Sequence, residues 1–68
     1  MTYNLYAERD CCEPRLMRES ASLDELADYV ERADMAGTWP VGFEAVARPS
    51  SGEAPCLLFT DGWEPLSA

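Results

Sequence analysis

Hydrophobic and polar positions alternate along residues 2–8, TYNLYAE, with Tyr3, Leu5 and Ala7 on one face and Asn4, Tyr6 and Glu8 on the other. That period of two predicts a half-buried strand. Residues 9–14, RDCCEP, read as a turn because Asp10 and Pro14 both punctuate regular structure. Arg15 to Glu19 then reads as a short second strand, antiparallel to the first, or as an irregular approach to the helix. From Ser22 to Gly37 the period switches to 3.6: Leu23, Leu26, Tyr29, Val30, Ala33 and Ala36 fall on one arc.

The ends of this helix are marked as well. Ser22 is a good N-cap, and Glu25, three residues on, is placed to reach back to the Ser22 N–H as a capping box. Asp24 and Glu25 occupy the first turn, where the positive end of the helix dipole favours carboxylates. Gly37 suits the left-handed residue that closes a helix. Beyond it, the residue before Pro40 is biased towards extended backbone. Val41 to Arg48 alternates again and predicts a strand with Val41, Phe43, Ala45 and Ala47 on one face. Residues 49–55 are a loop rich in turn residues. The apolar run Cys56 to Thr60 is a well-covered strand ended by Asp61-Gly62, and Trp63 to Ala68 is a tail that folds back through Trp63.

The expected fold is α+β in one domain, residues 1–68. A small antiparallel sheet of three to four strands, in ββαββ order, carries one amphipathic helix on one face, the economical way to bury both apolar surfaces. Leu5, Leu26, Val30, Phe43, Leu58 and Phe59 are the expected core. A chain this short buries only about 60% of its unfolded surface.

Charge changes the picture most. Thirteen acids face five arginines, giving −8 with neither lysine nor histidine. Such a balance excludes direct nucleic-acid binding and attraction to anionic membranes. It favours a basic protein surface as partner. The distribution is uneven: residues 22–36 hold five acids and one arginine, whereas residues 1–21 hold four acids and three arginines. Asp24, Glu25, Asp28, Glu31 and Asp34 lie opposite the apolar arc, five carboxylates in a rise of about 15 Å. Their spacing of ~3 Å is close to the ~3.4 Å between phosphates along one DNA strand. These five are the candidate partner-binding residues. Met35 projects into the same arc. Two other readings of the acidity stand beside this one, a solvated face and the high surface charge of a halophile.

Chemistry is sparse. Without histidine or lysine, the common general base, the P-loop and the Schiff base are all missing. The four glycines never cluster into a phosphate-cradling loop. Cys11, Cys12 and Cys56 lack C-x-x-C spacing, and no histidine can complete a metal site. Cys11 and Cys12 are too close in the chain for an unstrained disulfide. A non-enzymatic protein without cofactor or metal is expected. Met1 leads into neither a basic nor an apolar leader, and no run approaches a membrane span, so a cytoplasmic location is expected.

In kind, the chain resembles the small acidic anti-CRISPR proteins made by phages and mobile elements. The features that carry the resemblance are its size, its lack of catalytic residues, the helix carboxylates Asp24, Glu25, Asp28, Glu31 and Asp34, and the compact αβ plan. The resemblance implies an inhibitor that mimics DNA in a bacterial host cell. Its partner would be a CRISPR effector, such as the type I surveillance-complex subunit that recognises the PAM duplex. The alternative is an accessory domain that binds a host protein or itself, as monomer or small homo-oligomer, through Met35, Trp63 and an open sheet edge.

Overall fold

In the computed structural model, which describes residues 1–59 and 62–66, five strands and one helix follow one another. They are β1 Tyr3–Arg9, β2 Cys12–Ser20, α1 Leu23–Met35, β3 Glu44–Pro49, β4 Cys56–Phe59 and β5 Gly62–Pro65. All strand pairs are antiparallel in the order β2-β1-β3-β4-β5. The α+β class and the single helix on an antiparallel sheet are as expected. The sheet has five strands rather than three to four, and the order is ββαβββ. Because β2 and β3 both run antiparallel to β1, the β2–α1–β3 passage is a split crossover that carries the helix over β1.

Register explains which faces meet. Leu5 stands opposite Ala47, and Ala7 opposite Ala45. The small alanines let the helix approach closely enough for Leu26 to lie fully buried against Leu5, Ala45 and Ala47. Tyr3, Met17, Leu23, Tyr29, Val30, Trp39, Leu58 and Trp63 pack around this centre. On the opposite sheet face, Arg48 donates two hydrogen bonds of 2.8 Å to Glu8. This pair spans the Tyr6–Val46 rung, and Val46 keeps only 4% exposure although no helix covers it.

The helix ends follow their signals. The Ser22 hydroxyl accepts from the Glu25 N–H, and the C-terminus closes with Thr38 N–H on the Ala33 carbonyl and Gly37 N–H on that of Asp34. These are the two hydrogen bonds of the Schellman motif, with Gly37 at φ +73°. The capping box is only half formed. Ser22 N–H donates to the Ser20 hydroxyl, and the Glu25 carboxylate turns instead to Ser20 and Arg18 on β2.

Four features differ from expectation. The first turn shrinks to Asp10 and Cys11, since β2 begins at Cys12 rather than Arg15. Among the described residues no non-glycine has positive φ, so this turn lacks the mirror-image geometry of ideal hairpins, and register shifts follow along the pair. β3 starts at Glu44, because Gly42 at φ +83° breaks the alternation and leaves Val41 92% exposed. Phe59, expected in the core, is 46% exposed at the end of a four-residue strand, and Phe43 is only half-buried. Trp63 opens out of the supposed tail into the edge strand β5, paired with Leu58. Thr60, Asp61 and residues 67–68, where the fourth strand and the tail were expected to end, lie outside the described residues. No described helix is long and apolar enough to cross a membrane.

Candidate acidic interface

Helix α1 holds all five predicted carboxylates on exposed positions, since its apolar arc is committed to the sheet. The structure divides them into two groups. Glu25 Oε1 accepts from Arg18 Nη2 at 2.7 Å and from Arg18 Nε at 2.9 Å, while its Oε2 accepts from Ser20 Oγ at 2.6 Å. The Ser20 hydrogen bond, followed by those from Arg18, holds the Glu25 carboxyl below its ordinary range. The Arg18 guanidinium also lies 5.2 Å from the centre of the Tyr29 ring, a cation–π distance. Asp28 pairs with Arg32 at 3.0 Å, one turn further on.

Asp24, Glu31 and Asp34 have no ion pair among the described residues. At 100° per residue they fall within an arc of about 80°. Three net charges over the same ~15 Å leave one per ~5 Å, sparser than phosphates along a DNA strand. The five-carboxylate count therefore overstates the field this face presents. Glu25 is foremost a clamp between α1 and β2.

The structure adds a feature beside these charges. A groove of about 650 Å³ runs between α1 and the β4–β5 side of the sheet. Val30, Trp39, Phe43, Leu58 and Phe59 supply apolar walls, and Glu31 and Asp34 stand on the helical rim. Two of the three unpaired carboxylates thus border apolar surface rather than open solvent alone. Trp39 and Trp63 are both fastened: the indole N–H of Trp39 donates to the Phe43 carbonyl at 3.1 Å, and that of Trp63 to the Leu23 carbonyl at 2.8 Å. Those bonds fix the rings that frame the groove and the helix start. Met35, at the last helical position, is 81% exposed.

The Glu25 clamp had no local sequence signal, because Arg18 and Ser20 reach Glu25 only once β2 extends to Ser20 and delivers the chain into the helix. The groove had no such signal, because its walls come from four separate elements. Cys11 and Cys12 sit together at the β1–β2 turn, and Cys56 lies far along the chain on β4. Among the described residues no three Cys, Asp or Glu side chains are grouped to hold a metal ion.

Comparison with protein-family models, with curated proteins and with solved structures finds no match for this chain.

Proposed function

We propose that this protein is a non-enzymatic inhibitor that sets the acidic face of α1 against a basic, nucleic-acid-binding protein surface and excludes the nucleic acid. The observation that carries this reading is the run of exposed, unpaired carboxylates Asp24, Glu31 and Asp34 on one side of the helix. Net charge of −8 supports it, because repulsion keeps such a chain off nucleic acid and draws it to the proteins that bind it. The partner class proposed is the DNA-recognising subunit of a CRISPR surveillance complex, following the resemblance in kind.

A competition gel shift tests this. Surveillance complex and labelled target duplex are incubated with the protein at low and high salt. Displacement of DNA that fades at high salt is expected, and Asp24→Asn/Glu31→Gln/Asp34→Asn should lose it while Glu25→Gln keeps most of it. Displacement untouched by the triple substitution would remove α1 from the interface.

The apolar groove favours a second reading, an accessory domain that grips a host protein through apolar contacts. Such binding would survive high salt, because screening acts on charges and not on apolar burial.

A further inference from the structure

The β1–β2 turn joins two groups that the acidic face does not use. Cys11 ends the two-residue turn and Cys12 opens β2; both are free and exposed, and their sulfurs touch at 3.1 Å. Cys12 also lines a cavity of about 280 Å³ on the sheet face away from α1, with Pro14, Val46, Leu57 and Leu66 among its walls.

We propose that Cys11 and Cys12 form a two-sulfur site for trivalent arsenic, taken as arsenous acid or a monosubstituted arsenical. Three geometric facts lead there. Adjacent Cα atoms are ~3.8 Å apart, below the ~4.4 Å at which ordinary disulfides begin. A direct S–S bond is therefore strained, whereas one atom inserted between the sulfurs relieves the strain. The kind of atom follows from the separation. With bonds to sulfur of ~2.3 Å, a linear centre spreads its sulfurs to ~4.6 Å, a tetrahedral one to ~3.8 Å, and a near-right-angled pyramid to ~3.3 Å. The 3.1 Å contact between the two exposed thiols lies nearest the pyramid, the shape of arsenic with its lone pair and three single bonds. The neighbouring cavity leaves room for the third substituent.

The step balances without an oxidant. Each thiol adds to arsenic in turn, one As–S bond forms as one As–O bond breaks, and the thiol proton leaves with the hydroxyl as water. Two waters are released and arsenic stays trivalent. The hydrogen bond that the neutral Cys11 thiol donates to Cys12 raises Cys11 above its ordinary range. That hinders a metal cation, which needs both thiols deprotonated, but not a condensation that consumes thiols.

Intact-mass spectrometry of the phosphine-reduced chain with one equivalent of phenylarsine oxide tests the site. One phenylarsenic group per chain is expected, with loss of the two thiol hydrogens. It should persist in excess glutathione and leave with a dithiol. Cys56→Ser should keep the adduct, and Cys11→Ser and Cys12→Ser should each lose it, with unchanged far-ultraviolet circular dichroism because both side chains are exposed. Absence of the adduct from Cys56→Ser, its removal by glutathione, or its retention by either single-thiol turn variant would overturn the proposal.

Discussion

Asp34 sits at the wrong end of its helix, and removing its charge should stabilise the isolated protein. It lies in the last turn of α1, two residues before the Ala36 cap, where unpaired carbonyls make the negative end of the dipole. A carboxylate there costs about 0.3–1 kcal/mol. Glu31, one turn earlier and also unpaired, adds like-charge repulsion of about 0.2–0.5 kcal/mol. Asp34→Asn should therefore raise stability by about 0.5–1.5 kcal/mol. For a domain of this size, that is a rise in Tm of roughly 2–12 °C. Asp24→Asn is the matched control, because Asp24 lies in the first turn and is favoured by the dipole. Its Tm should fall or hold. Thermal unfolding followed by circular dichroism, at ~0.01 M and ~1 M salt, reads both effects, which shrink as the Debye length falls from ~30 Å to ~3 Å. If Asp34→Asn is no more stable than the parent at low salt, the electrostatic reasoning about this face fails. If it is more stable yet binds its partner less well, the carboxylate costs stability and serves binding.

Three further outcomes are expected. Leu26→Ala should cost about 2–5 kcal/mol in urea unfolding, towards the upper end because the facing Ala45 and Ala47 cannot fill the space; Phe59→Ala, at a half-exposed site, should cost far less. Because the Glu25 carboxyl is depressed in the fold, its contribution is present above the unfolded value and lost as pH falls through the folded one. The stability gap between the parent and Glu25→Gln should therefore narrow as pH falls below 4.5, and a gap constant down to the acid transition would contradict the clamp. Gly37→Ala should cost about 1–2 kcal/mol by melting temperature, since φ is +73° and the added methyl meets nothing within 4 Å, leaving only the backbone penalty.

Helix α1 was legible almost to the residue, because Ser22, the 3.6-residue period and Gly37 are local signals that act within one turn of their own position. β1 was legible for the same reason, and its apolar face, Leu5 and Ala7, is the buried one. Failures lay where geometry comes from a distance. β5 is four residues long, contains a proline and forms only because β4 offers Leu58 and Phe59 as partners. Val41 to Phe43 kept a perfect alternation, but one glycine at positive φ sends that stretch into a turn. Within the site, exposure of all five carboxylates was readable from periodicity. That Glu25 would be taken by Ser20 and Arg18 was not, since it depends on how β2 delivers the chain into the helix.

Pairing of the arginines bears on whether the acidity is a solvent adaptation or a directed face. Arg18, Arg32 and Arg48 each hold a carboxylate, and Arg9 lies 5.9 Å from the centre of the Phe43 ring. Among the described residues three of twelve acids are thus offset within the fold, and the most concentrated unpaired set is on α1. A fold that depended on salt for its integrity would gain from screening up to molar concentrations. Here the repulsion acts over distances of about 5–15 Å along one helix; its longer part is screened once the Debye length reaches ~8 Å at physiological salt, and the near Glu31–Asp34 part only as it approaches ~3 Å. The Tm should accordingly rise most between ~0.01 M and ~0.15 M salt and by a smaller amount up to ~1 M. Asp24→Asn/Glu31→Gln/Asp34→Asn should flatten the first rise. Unfolding of the parent below ~1 M salt would mean that the whole surface is tuned to brine, and α1 would lose its claim to be an interface.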